Sequence, residues 1–186
     1  MTEHDQTQED TGKRASLEHP VSKARGYFFA AFENFPYEPH GVVLGQNQPD
    51  SCVAACCRML LHDHGIEISE AFVRHALELE EGAFVSQIPD VLQSLGLNRP
   101  YVYRRDLTVV DLAAAVKRGT AVVFVKMSGA LDGHALLVEE MANDLVAVRD
   151  PLPEGEGKAY RARLADFLRF WIHPKTGRGQ AAIVVE

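Results

Sequence analysis

Two apolar runs, one from position 134 to 141 and one from 145 to 150, flank Ala142-Asn143-Asp144. Runs rich in Leu and Val on either side of an Asn-Asp turn predict an antiparallel hairpin, because Asn and Asp tolerate the left-handed backbone that a tight turn needs. With the reversal there, residues whose numbers sum to about 286 face one another across the ladder. His134, opening the first strand, then falls within a residue or two of Asp150, which ends the second. An imidazole and a carboxylate are delivered to one end of a sheet by chain geometry alone.

The rest of the chain supplies a body for that hairpin. Short strands are expected at 42–44, at 101–104, in the β-branched run 121–127 and at 181–185. Helical spacing runs from Cys52 to about His62, with Gly65 near its end. Ser69 is placed to cap a second helix that carries Ala71, Phe72, His75, Ala76 and Leu79 on one side. Ser86 precedes a third over 87–95 that ends at Gly96, Thr108 opens an amphipathic helix reaching Gly119, and 162–171 is helical in pattern. Helices come first and mostly sheet follows, which is the order of an α+β domain. Residues 27–37 concentrate Tyr27, Phe28, Phe29, Phe32 and Phe35 before Pro36, Pro39 and Gly41 break the segment, so they pack on the globule. Residues 1 to about 20 hold almost nothing apolar and read as a disordered acidic tail, leaving 21–186 as a single domain.

Composition excludes several classes of function. A formal charge of −7 gives no positive field for nucleic acid or an anionic membrane. No apolar run approaches the ~18 residues of a membrane span, and the polar N-terminus does not resemble a secretory signal. Three cysteines, two of them adjacent, do not suit a disulfide framework. The expectation is a reduced, cytoplasmic setting, or delivery by a specialised secretion machine that reads no cleavable signal.

The chemistry centres on Gln46-Asn47-Gln48-Pro49-Asp50-Ser51-Cys52. Proline at 49 discourages helix before it, Asp50 and Ser51 are good N-cap residues, and Cys52 falls in the first helical turn. A thiol there meets the positive end of the helix dipole, which favours the thiolate nucleophile. Taken alone, Cys52 is more readily the first member of a buried apolar stripe than a nucleophile. A nucleophile needs a base and an orienting group. His62 and His64 lie at the far end of the same helix, ~15 Å away by helical rise, whereas His134 arrives with Asp150 beside it to fix its tautomer and stabilise its charged form. An amide that donates to a developing oxyanion completes such a site, and Gln46, six residues before Cys52, is placed for it, with Gln48 as the rival. Cys56, Cys57, His62 and His64 match no common zinc spacing, so neither metal nor cofactor is expected.

These residues resemble a papain-fold cysteine peptidase, and more closely the bacteriocin-processing, double-glycine leader peptidase family. The resemblance rests on Gln46 six before Cys52, on Cys56 four after it, on Gly-His-Ala-Leu-Leu-Val at 133–138 and on Val-Arg-Asp-Pro at 148–151, and it covers about residues 42–186. It implies a papain-like α+β fold with the nucleophile helix packed on an antiparallel sheet. It also implies Cys52 as nucleophile, His134 as general base and acid, Asp150 as orienting group and Gln46 as oxyanion donor. Members often cut after paired small residues of a leader peptide. Ser51 and Val53 depart from the usual acid before and glycine after the cysteine. The expected partner is a peptide or protein substrate. A stand-alone domain of this kind also resembles an antibacterial effector, whose partner would be an inhibitory immunity-type protein. The same triad serves glutamine deamidation or transglutamination, and a silent peptide-binding module would keep the same fold.

Overall fold

Asn143 and Asp144 both take positive φ, 52° and 59°, which is the mirror-image turn that lets two strands keep their natural twist. They join β4 (Gly133–Ala142) to β5 (Leu145–Asp150). The computed structural model describes residues 26–77, 85–126, 133–172, 177–179 and 181–186. The expected tail at 1–20, Leu79 of the second helix and Met127 of the third strand lie outside them.

Ala142 pairs with Leu145, Met141 with Val146 and Glu140 with Ala147. A bulge then absorbs Glu139, and the ladder resumes with Val138 opposite Val148 and Leu137 opposite Arg149. Continuing that register puts Asp150 opposite Leu136, two positions along β4 from His134. The alternation of β4 and β5 places Leu136, Val138, Val146 and Val148 in one core cluster, and Ala135 and Leu137 in another on the opposite face.

The described residues form one seven-stranded antiparallel sheet in the order β1-β6-β5-β4-β3-β7-β2. Here β1 is Asn34–Pro36, β2 Tyr101–Arg104, β3 Ala121–Lys126, β6 Lys158–Arg163 and β7 Ala182–Val185. On one face pack α1 (Cys52–Asp63), α2 (Glu70–Ala76) and α3 (Ile88–Ser94), with Ala54, Cys56, Met59, Leu60, Val73, Ile88 and Leu92 buried against Ala135, Leu137 and Ile183. The other face is covered by α4 (Val109–Val116), α5 (Leu164–Trp171) and the aromatic segment, through Leu112, Phe167, Trp171, Phe28 and Phe29. The fold is therefore the expected α+β arrangement, with the cysteine helix on the sheet.

Two strands lie beyond the sequence expectations: β1 within the aromatic segment, and β6, which joins it to β5. Conversely, residues 42–44 form no strand; the Val42 carbonyl instead accepts from Arg149 Nη1 at 2.7 Å. Ser69 caps α2 by accepting from the Phe72 amide, and Thr108 with Asp111 forms a capping box on α4. Ser86 lies inside a short 3₁₀ turn, Val85–Gln87, and does not cap α3.

Candidate active site

Cys52 is the first residue of α1, and the first helical bond runs from the Ala55 amide to the Ser51 carbonyl at 2.9 Å. Ser51 occupies the N-cap position, but its hydroxyl makes no cap bond. It donates to Glu70 Oε1 at 2.6 Å and accepts from the Gln48 amide at 3.1 Å. Glu70, the first residue of α2 and nearly fully buried, also accepts the Asn47 amide at 3.0 Å. A carboxylate from the next helix thus ties down the loop that precedes the cysteine.

The base and acid arrive from the sheet end. His134 Nε2 lies 2.8 Å from Asp150 Oδ1, and the ring also interacts with Cys52. Cys52 is half-buried, whereas His134 and Asp150 are buried. Asp150 is held by three further donors. Leu152 N donates to Oδ1 at 2.9 Å, and Phe28 N at 2.6 Å and the Tyr160 hydroxyl at 2.9 Å both donate to Oδ2. A buried carboxylate with every lone pair engaged is fixed in orientation, and so fixes the ring bound to it.

Burial pushes the Cys52 thiol up, but the hydrogen bond and charge of His134, with the backbone amides of Ala135 and Val53, outweigh it and bring the thiol below its ordinary range. Burial likewise favours a neutral His134. The Asp150 charge and hydrogen bond, joined by Cys52, reverse this and raise the imidazole to about 10. Each partner thus favours the charged form of the other, thiolate and imidazolium. Burial pushes Cys57 up to about 12 and Cys56 well above the usual thiol range, so both remain thiols inside the helical core. Of the three cysteines, only Cys52 is activated.

Gln46 and Gln48 separate clearly. Gln48 is exposed, while Gln46 is buried and doubly anchored, its amide donating to the Pro151 carbonyl and its carbonyl accepting from Gly155 N, both at 2.9 Å. Gly45 allows this close approach, since a Cβ there would strike the backbone of residues 155–157. Gln46 Nε2 donates to the Gln48 carbonyl at 2.8 Å, which sets the plane of the amide and leaves its second N–H available. Of the four sequence-derived candidates, Cys52, His134 and Asp150 interact directly, and Gln46 is bonded through its backbone to Pro151, the residue after Asp150.

Three contributors were missed by sequence reasoning: Glu70, Tyr160 and Phe28. Ser69-Glu70 reads as a helix start with an acid that complements the dipole, which hides its role as loop clamp. Tyr160 belongs to the unforeseen β6, and Phe28 was legible only as one member of an aromatic cluster.

A cysteine at a helix start, faced by a histidine and its acid from an antiparallel sheet, is the arrangement of a papain-like cysteine peptidase. Residues 41–173 match the Peptidase C39 family, and the chain belongs to that family, a group of cysteine-dependent hydrolases. Among solved structures it is similar to the peptidase domain of Streptococcus ComA, a bi-functional ABC transporter involved in quorum sensing. That match has a TM-score of 0.58 at 20% identity over 77% of this chain and 96% of that one. It is also similar to a double glycine motif protease from an AMS/PCAT transporter in complex with its leader peptide, with a TM-score of 0.55 at 15% identity over 82% of this chain and 96% of that one. No curated protein sequence matches the chain. No helix among the described residues is long and apolar enough to cross a membrane.

Proposed function

We propose that this peptidase cuts peptide bonds through a thioester on Cys52, with His134 as general base and acid, Asp150 as its orienting group and Gln46 as oxyanion donor. The observation that carries the reading is that His134 lies 2.8 Å from Asp150 and is coupled electrostatically to Cys52. The Cys52 thiolate attacks the carbonyl carbon, and charge gathers on the carbonyl oxygen beside the first amides of α1 and the Gln46 side chain. The C–N bond breaks as His134 passes its proton to the departing amine. Water then gives a proton to the neutral imidazole and attacks the thioester carbonyl; the C–S bond breaks, restoring thiolate and imidazolium.

The substrate we infer is an extended peptide with small residues before the scissile bond, of the kind found in a leader. The leader-bound state of the AMS/PCAT protease supports this class of ligand for the shared fold. Val53, bulkier than the glycine usual beside the nucleophile, is half-buried and packs against the helical core. Purified protein incubated with synthetic peptides carrying Gly-Gly, Gly-Ala or bulky pairs at one position tests this by mass spectrometry. Cleavage after the small pairs by wild type, and none by Cys52→Ala, is expected. Equal cleavage by both proteins, or after bulky pairs alone, contradicts it.

A further inference from the structure

The family match begins at residue 41, yet the His134 and Asp150 pair is closed by residues that precede it. The Phe28 amide donates to Asp150 Oδ2 at 2.6 Å. Its ring lies flat on the His134 imidazole, with centroids 5.3 Å apart and planes inclined by 10°. Phe28 and Phe29 are both fully buried. Phe28 meets Phe170 of α5 edge-on at 5.2 Å, and the Phe29 amide points at the Tyr160 hydroxyl, the same hydroxyl that donates to Asp150. Two turns, Ala30 N to the Tyr27 carbonyl and Phe32 N to the Phe29 carbonyl, compact the segment. Then β1 pairs with β6 through Asn34, Phe35 and Pro36 and extends the sheet beyond the strand that carries Tyr160. The segment is thus anchored on the sheet at one end and inserted against the imidazole at the other.

We propose that residues 27–36 are a built-in part of the catalytic centre, with Phe28 as a positioning residue that holds the His134 ring and keeps water from its bond to Asp150. The inference rests on the triad reading above. Excluding water strengthens a charged hydrogen bond, because the surrounding dielectric falls. A flat aromatic face within ~6 Å also favours a cationic ring over a neutral one. Both effects act through His134 on the Cys52 thiolate. The other titratable groups around the pair are Tyr160 from β6 and Cys56 and Cys57 from α1. All three are pushed up by burial and stay protonated near neutral pH, so they do not mask the readout.

The test is the pH dependence of Cys52 alkylation by iodoacetamide, which needs no substrate, in wild type, Phe28→Ala and Phe28→Leu. Leucine keeps most of the buried volume but has no aromatic face, so it carries the test should alanine fail to fold; circular dichroism reports folding. Wild type is expected to alkylate well below the ordinary thiol range. Both folded variants should shift upward by about one pH unit, or about tenfold slower alkylation on the acid side. A folded Phe28→Leu with the wild-type profile overturns the role of Phe28 and leaves the triad standing. A wild-type profile like that of a free thiol overturns the triad reading itself, and the proposal with it.

Discussion

Glu70 Oε1 and Ser51 Oγ lie 2.6 Å apart across the gap between the first two helices. Through this contact, and through the Asn47 amide, a residue 19 positions beyond Ser51 sets the loop that presents Gln46. The expected consequence is specific. Glu70→Ala should lower kcat with little change in KM, since the loop donates to the transition state and not to the bound peptide. It should also destabilise the protein by about 1–3 kcal/mol, the usual cost of losing bonds to a buried charged acceptor. Glu70→Gln, which keeps an acceptor oxygen, should recover part of kcat. Steady-state kinetics with thermal unfolding checks both effects, and a Glu70→Ala enzyme with wild-type kcat would remove the loop from the account.

Peptide cleavage should follow a broad bell against pH. The acid limb reports formation of the Cys52 thiolate, which burial opposes and the His134 charge favours, and it falls below the ordinary thiol range. The alkaline limb reports loss of the imidazolium proton needed by the leaving amine; burial opposes that charge, but Asp150 raises the transition to about 10. Activity therefore rises as pH passes the lowered thiol value and falls as pH passes the raised imidazole value. The two limbs belong to the coupled pair and not to either residue alone. A profile of kcat/KM from acid to alkaline pH checks this, and a limb that begins in the ordinary thiol range would contradict it.

Asp150→Asn separates orientation from charge. The amide oxygen can still accept from His134, so turnover should persist at a reduced level. The imidazole loses the charge that raised it, and the alkaline limb should move down toward ordinary histidine values. The NH2 group would then take the Oδ2 position and face the donors on Phe28 and Tyr160, costing about 1–3 kcal/mol of stability. Asp150→Ala should lose turnover and keep no defined alkaline limb. The same kinetic profile measured on both variants decides the matter.

Arg149, next to Asp150 on β5, serves the fold. Its fully buried guanidinium contacts Asp63 at the end of α1, and its Nε lies 2.7 Å from Glu139 Oε1 at the β4 bulge. Glu139 in turn accepts from the Tyr37 hydroxyl at 2.9 Å and the His40 amide at 3.2 Å. Replacing Arg149 by methionine strands the buried Glu139 carboxylate and should cost about 3–5 kcal/mol. Denaturant unfolding measures this, and a loss under about 1 kcal/mol would show that the cluster relaxes without its cation.

The hairpin and its turn were readable because Asn143 and Asp144 carry their own backbone preference, and the runs beside them are continuous and apolar. Its register was readable only to within two residues, since nothing local announces that Glu139 bulges to meet Arg149. β6 was hidden for a different reason: Lys158, Arg161 and Arg163 break the apolar pattern, and only Tyr160 and Ala162 face the core. β1 is three residues ending in proline at a sheet edge, too short to carry a period. The catalytic candidates were legible because helix start, hairpin and spacing are local signals. Ser51 was read as a helix cap by the same local logic, and its hydroxyl was taken instead by Glu70, a competition that only tertiary packing decides.

The most direct test of peptidase action at Cys52 is proteome-wide labelling of new N-termini after exposure of host-cell protein to wild type or Cys52→Ala. Cleavage through Cys52 predicts a set of termini unique to wild type, with small residues before the cut. An identical set from both proteins, or none from either, would contradict it.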